Sequence, residues 1–267
     1  MTVLIRAVAN NLLDVAKLLI EKGAEVNGVQ EPGGRTPLFV TVERATRKVS
    51  IADEYLETAS LMIASGTELD GVQGPAGQMI LFKAAMGGDN GGNMTKLLID
   101  AGINIKAQDE NGQTALFQST ETSARLLIEK GANVRTRDRL GRTALHEQCR
   151  RWPIASVVPV VLMLLQSGAD VNATDSNGLN PLCFACEVEA TASNFHRPYD
   201  IFKIDNYKID KRFVDVVVCL INAGSALPND KTMARQVMDG LCLEMSTLTN
   251  PEAFEEATQR FKTLEKN

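Results

Sequence analysis

Apolar residues recur along the chain in blocks that end at a glycine. Three close copies of one phrase are KLLIEKGAEVN at 17–27, KLLIDAGINIK at 96–106 and RLLIEKGANVR at 125–135. Looser copies bring the glycines that end a block to six: Gly23, Gly66, Gly102, Gly131, Gly168 and Gly224. Each block predicts the apolar end of a helix, because glycine adopts the positive φ of a helix C-cap without a Cβ penalty.

A second phrase follows the glycine stops and predicts the start of the next helix. Its copies are GRTPLF at 34–39, GQMILF at 77–82, GQTALF at 112–117, GRTALH at 141–146 and GLNPLC at 178–183. The threonine, replaced by Asn180 in the last copy, carries a side chain that can cap a helix N-terminus. Pro37 and Pro181 then fit the first helical turn.

The two alternating phrases resemble the ankyrin repeat, a unit of about 33 residues with a β-turn finger, a first helix, a loop and a second helix. The resemblance extends to about residue 228 and implies an all-α ankyrin-repeat solenoid, in which each unit stacks on its neighbours. Asn27 and Asn172 match the asparagine that ties neighbouring fingers in that family. The predicted segments are repeats at 1–30, 31–73, 74–108, 109–137, 138–174 and 175–227, and C-terminal capping helices at 228–267.

Three repeats depart from the regular spacing. Repeat two has extra residues around 45–53, which predict two lengthened helices, and repeat four lacks about one helical turn, which predicts a stunted first helix near 115–120. Repeat six carries an insertion at 187–211. Long insertions with aromatic residues are often functional, and the alternative is that these aromatics simply pack the loop onto the repeats. The candidate contacts in the insertion are Phe195, Tyr199, Phe202 and Tyr207.

Charge and cysteine content narrow the classes of partner. The net charge of −5 disfavours a nucleic-acid partner, since phosphate contacts need surplus lysine and arginine. No apolar stretch is long enough to cross a bilayer. The five cysteines are an odd number spread over helical segments, which predicts reduced thiols and a cytoplasmic protein. We therefore expect a monomer that binds neither nucleic acid nor membrane.

Candidate chemistry is sparse. Cys183 and Cys186 form a CxxC, and His146 and Cys149 stand one repeat earlier, so four soft ligands could suggest zinc. However, His146 stands where the ankyrin pattern itself has histidine, and Cys149 and Cys186 stand where that pattern has small core residues. We predict no metal and no cofactor. His196 has no partner in a recognisable nucleophile motif, so an enzyme is not expected.

Repeat five has the most polarised surface of this acidic chain. Its finger and the end of its first helix supply the repeat-five basic patch, defined as Arg137, Arg139, Arg142, Arg150, Arg151 and Trp152. In ankyrin proteins these two elements line a concave groove. The predicted function is an adaptor that binds a protein partner with an acidic or phosphorylated segment there. The alternative is that these arginines form a solvated surface and pair with acidic residues of the same chain, for example Glu187 and Glu189.

A second function remains open from the sequence. The C-terminal residues Glu252, Glu255, Glu256 and Leu264 look like the acidic secretion signal of translocated bacterial effectors. Such a protein would use its repeats to engage a host protein in the host cytosol. An amphipathic capping helix could have the same sequence.

Overall fold

The computed structural model describes residues 2–29, 34–47, 52–70, 79–151, 157–186 and 211–227, and five positions between 255 and 263. These parts of the chain are helical and contain no strand. The helices are α1 Val3–Ala9, α2 Leu13–Glu21, α3 Pro37–Arg47, α4 Ala52–Ala64, α5 Ile80–Ala85, α6 Gly88–Asp100, the 3-10 helix Ala115–Gln118, α7 Glu121–Glu129, α8 Ala144–Arg150, α9 Val157–Gln166, α10 Pro181–Cys186 and α11 Lys211–Asn222. No helix among the described residues is long and apolar enough to span a membrane.

The helices form two compact units, Met1–Asn133 and Val134–Asn267. In the first unit α1, α3, α5 and the 3-10 helix pack in succession, and α2, α4, α6 and α7 form a parallel succession of second helices. In the second unit α8 packs on α10 and α9 on α11. First helices thus stack on first helices and second on second, as in the predicted ankyrin fold. Each predicted repeat contains one such pair of helices.

The predicted helix ends are confirmed. All six stop glycines have positive φ, between 82° and 89°. At helix starts, the Phe39 N–H donates to Thr36 Oγ1 at 3.1 Å, and the Cys183 N–H donates to Asn180 Oδ1 at 3.0 Å. Thr114 is the N-cap of the 3-10 helix, but its side chain makes no capping hydrogen bond, so the second phrase predicts where helices start rather than how each start is capped.

The predicted irregularities of repeats two and four are also present. In repeat two, α3 has 11 residues and α4 has 13. In repeat four the first helix is a four-residue 3-10 turn, and its Leu116 and Phe117 are buried. Insertion residues 187–210 lie outside the described residues, as does most of the predicted cap at 228–267.

Candidate functional site

The finger of repeat five is organised by Asp138. Its Oδ1 accepts the backbone N–H groups of Leu140 and Arg142, each at 2.9 Å, and its own N–H donates to the Arg142 carbonyl at 2.8 Å. Asp109 and Asp175 make the same three bonds in the fingers of repeats four and six. An aspartate three residues before the finger glycine is therefore the local signal for this turn.

Glu147 joins two arginines of the basic patch. Its side chain is almost fully buried, and its Oε1 lies 2.5 Å from Arg150 Nη2 while its Oε2 lies 3.9 Å from Arg142 Nη1. Arg142 also forms an ion pair with Asp138, with Nη2 and Oδ2 2.8 Å apart. The finger and the end of α8 thus meet through a buried carboxylate, which brings Arg142 and Arg150 together.

Arg137 and Arg135 hold neighbouring fingers of the second unit. Arg137 Nη1 donates to the Gly141 carbonyl at 2.7 Å and to the Thr174 carbonyl of the next finger at 2.6 Å. Arg135 Nε donates to the Gly168 carbonyl at 2.9 Å. Both side chains therefore have a structural role in addition to their charge.

Arg135 stands at the position that a bridging asparagine occupies in repeats one and five. Asn27 Nδ2 donates to the Gly66 carbonyl at 3.2 Å, and Asn172 Nδ2 donates to the Gly224 carbonyl at 3.0 Å. In both cases Oδ1 also accepts the backbone N–H two residues beyond that glycine. The predicted tie between fingers is confirmed. Arg135 donates a hydrogen bond to the equivalent glycine carbonyl. This bond was not predicted, because arginine lacks the acceptor half of the asparagine bridge.

Two residues at the tip of the repeat-five finger face solvent. Arg139 is exposed and makes no hydrogen bond or ion pair with any described residue. Leu140 is 52% exposed although its backbone is fixed at both ends. Arg151, by contrast, is half-buried, and burial lowers the pKa of its guanidinium group. The patch therefore combines arginines that hold the fold with a tip that is open to contact.

Other predicted site residues lie outside the described residues. These are Trp152, the insertion contacts Phe195, Tyr199, Phe202 and Tyr207, and the suggested internal partners Glu187 and Glu189. The internal partners found in the structure are Asp138 and Glu147, within repeat five itself. The sequence does not indicate these pairs, because spacing alone does not show which acids the fold brings to the arginines.

His146 is used for structure at both ring nitrogens. Nδ1 lies 3.1 Å from the Thr143 backbone nitrogen and 2.9 Å from Thr143 Oγ1, and Nε2 lies 3.1 Å from the Leu179 carbonyl oxygen. A neutral ring satisfies all of these contacts when Nε2 carries the proton and Nδ1 accepts the Thr143 N–H. Both positions through which histidine binds zinc are thus occupied. The described residues contain no group of three or more histidine, cysteine or acidic side chains that could hold a metal ion.

Burial lowers the pKa of His146, which predicts acid sensitivity of the second unit. Because the unfolded chain binds the proton more readily, this histidine leaves stability intact above its unfolded pKa of about 6.5. Stability should fall below that pH by up to about 1.4 kcal/mol per pH unit, until the folded form also takes up the proton.

Urea unfolding between pH 7.5 and 5.5, followed by the fluorescence of the single tryptophan, should therefore show a pH dependence that His146→Gln reduces. His196→Gln changes the only other histidine and is the control. An identical pH dependence in wild type and His146→Gln would show that His146 is not the source of the acid sensitivity.

Comparison with known proteins identifies the family to which this architecture belongs. The family model described as "Ankyrin repeats (3 copies)" matches residues 48–138 and 81–175, and "Ankyrin repeat" matches residues 1–29. These matches together span more than half of the chain. The chain belongs to the ankyrin repeat family.

Solved structures agree on the fold. The ankyrin repeat domain of Bcl-3, a member of the IkappaB protein family, is 22% identical with a TM-score of 0.62, over 91% of this chain and 98% of that one. An ankyrin repeat domain from Acinetobacter baumannii is 23% identical with a TM-score of 0.59, over 84% and 98%. The human ASB11 ankyrin repeat domain is 21% identical with a TM-score of 0.60, over 85% and 86%. No curated protein matches the chain in sequence.

Proposed function

We propose that this protein is an adaptor that binds a partner protein through the repeat-five basic patch. Ankyrin repeats are generally protein–protein interaction modules, which supports the class of function. We further propose that the partner segment is acidic or phosphorylated, and that the protein acts as a cytoplasmic monomer without catalytic activity.

The charge of repeat five is the observation that carries the proposal. Residues 135–151 contain six arginines and two carboxylates, although the whole chain has a net charge of −5. Both carboxylates are buried and already accept arginine: Asp138 from Arg142, and Glu147 from Arg150. The local surface therefore retains a net positive charge, which favours approach of an acidic partner.

The geometry of these arginines suits carboxylate or phosphate. A guanidinium group presents its donors in a planar fork that matches two oxygens of such a group. Arg142 and Arg150 are held beside one another by Glu147, so little side-chain entropy is lost when a ligand binds there. Arg139 adds an exposed cation at the finger tip.

Arg139→Glu is the cleanest test of the proposal. Arg137 and Arg142 hydrogen-bond within the finger, so reversing their charges would disturb the turn itself, whereas Arg139 has no described partner to lose. We expect Arg139→Glu to weaken partner binding by about tenfold, mainly through slower association and reduced salt dependence.

The measurement is quantitative mass spectrometry of captured proteins, followed by titration of those whose capture decreases. Lys96→Glu reverses an exposed cation on α6 in the first unit and is the matched control. If wild type, Arg139→Glu and Lys96→Glu capture the same proteins in the same amounts, the basic patch is not the binding surface.

The alternative of a translocated effector rests on the C-terminal acidic segment. Of its residues only Glu255 lies among those the structure describes. Deleting residues 250–267 and measuring translocation separately from folding is the experiment that tests it.

A further inference from the structure

The tip of the repeat-five finger carries a leucine where the neighbouring fingers carry asparagine. The residue before the finger glycine is Asn111 in repeat four, Asn177 in repeat six and Leu140 in repeat five. Asparagine suits such a tip, because its amide is solvated and it tolerates turn geometry. Leu140 instead leaves half of a large apolar side chain in solvent. The substitution does nothing for the core of the repeat.

The leucine is displayed on a rigid support. Its N–H donates to Asp138 Oδ1 at 2.9 Å, and its carbonyl accepts the Ser176 N–H of the next finger at 2.9 Å. Gly141, which follows, has φ of 76°, and a Cβ there would lie 3.2 Å from the Ser176 nitrogen. The backbone at the tip is therefore fixed before any partner arrives, and binding costs little ordering entropy.

Single exposed leucines are common on protein surfaces and carry no meaning alone. Leu140 differs because its sequence neighbour is Arg139, the exposed cation without a described partner, and because Arg137 stands three residues before it and Arg142 two residues after it. The finger tip is therefore an arrangement of one apolar side chain among cations. It is a suitable arrangement for a ligand that has both an apolar group and carboxylates.

We propose that Arg139 and Leu140 are a preformed two-residue contact that selects a partner segment in which an apolar side chain stands next to an acidic one. Leu140 buries the apolar side chain, and Arg139 pairs with the adjacent carboxylate. The proposal rests on the proposed function of the basic patch and deepens it, since charge alone would accept any acidic segment. Leu140 would thus be the residue that sets specificity.

A random library of twelve-residue peptides displayed on phage tests this without knowledge of the natural partner. We expect peptides selected by the wild-type protein to be enriched in Asp and Glu, and to have an apolar residue at a fixed distance from an acidic one. Leu140→Asn should select acidic peptides without the apolar preference. The variant should fold, because Asn177 makes the corresponding backbone bond to Asp175 in the next finger.

Titration of a selected peptide then measures the contact. Leu140→Asn should weaken its binding about tenfold, as expected for losing the burial of a leucine side chain. Replacing the peptide's apolar residue by serine should weaken wild-type binding to the same extent and leave Leu140→Asn binding unchanged. Leu162→Asn removes another exposed leucine of the second unit, on α9, and should bind as wild type does.

The outcomes separate the two proposals. Acidic peptides without an apolar preference in the wild-type selection would overturn the role of Leu140 and leave the basic patch standing. Peptides with no acidic enrichment would overturn both. Equal weakening by Leu140→Asn and Leu162→Asn would also overturn the role of Leu140, because the effect would then not belong to the finger.

Discussion

Replacing Gly91 by alanine should lower the free energy of unfolding of the first unit by about 3 kcal/mol. Gly91 lies inside α6, and a Cβ at this position would lie 2.2 Å from the Ala84 carbonyl oxygen of α5. That oxygen belongs to the backbone and cannot turn aside, so α5 and α6 would have to separate. The direction is the reverse of helix propensity, which favours alanine over glycine by about 1 kcal/mol.

Two neighbouring positions calibrate this prediction. Gly92→Ala should cost less, because the added Cβ would lie 2.6 Å from the Thr122 methyl group and 3.0 Å from Thr122 Cβ, which are side-chain rather than backbone atoms. Asn93→Ala changes an exposed position on the same helix and should be neutral or slightly stabilising. The measurement is urea unfolding followed by circular dichroism. A Gly91→Ala variant at least as stable as wild type would show that α5 and α6 do not approach so closely.

The glycine-rich start of α6 also shows where sequence reasoning fails. The run GDNGGN at 88–93 has low helix propensity, yet it is helical. Gly91 and Gly92 are needed because Ala84 and Thr122, respectively, lie where a Cβ would otherwise be. Tertiary packing overrides propensity here, and no local pattern reveals it. The stop glycines were predictable because a left-handed C-cap is a property of the backbone alone.

The candidate site also has a part that the sequence predicts and a part that it does not. The sequence was sufficient to single out the arginines of repeat five and to predict the bridging asparagines. It did not predict that Glu147 holds two of those arginines. The equivalent position after the second phrase is Val40 in repeat two, Gln118 in repeat four and Phe184 in repeat six, so no periodic signal marks it. The pairing depends on how a finger folds over the first helix, which is a contact between elements.

Glu147→Gln should lower the free energy of unfolding of the second unit by roughly 2 kcal/mol. The buried carboxylate lies between Arg142 and Arg150, and breaking a buried pair leaves charge uncompensated. The cost is smaller than for a fully buried pair, because the Arg150 side chain is 45% exposed and water can solvate it. Glu110→Gln removes an exposed carboxylate from the finger of repeat four and is the control with the same change in charge.

The same substitution separates two explanations of binding. Glu147→Gln makes the patch more positive by one charge, so if net charge alone attracts acidic segments, affinity and its salt dependence should both rise. If the arrangement of the arginines matters, Glu147 is a positioning residue, and its loss lets Arg142 and Arg150 move apart. We expect the second result: about tenfold weaker binding of acidic peptides selected on the wild-type protein, with faster dissociation and no loss of association rate. Binding is measured below the unfolding transition of the variant, so that only folded protein contributes. Tighter binding by Glu147→Gln would show that the patch attracts acidic segments through its net positive charge, and that the arrangement of Arg142 and Arg150 does not matter.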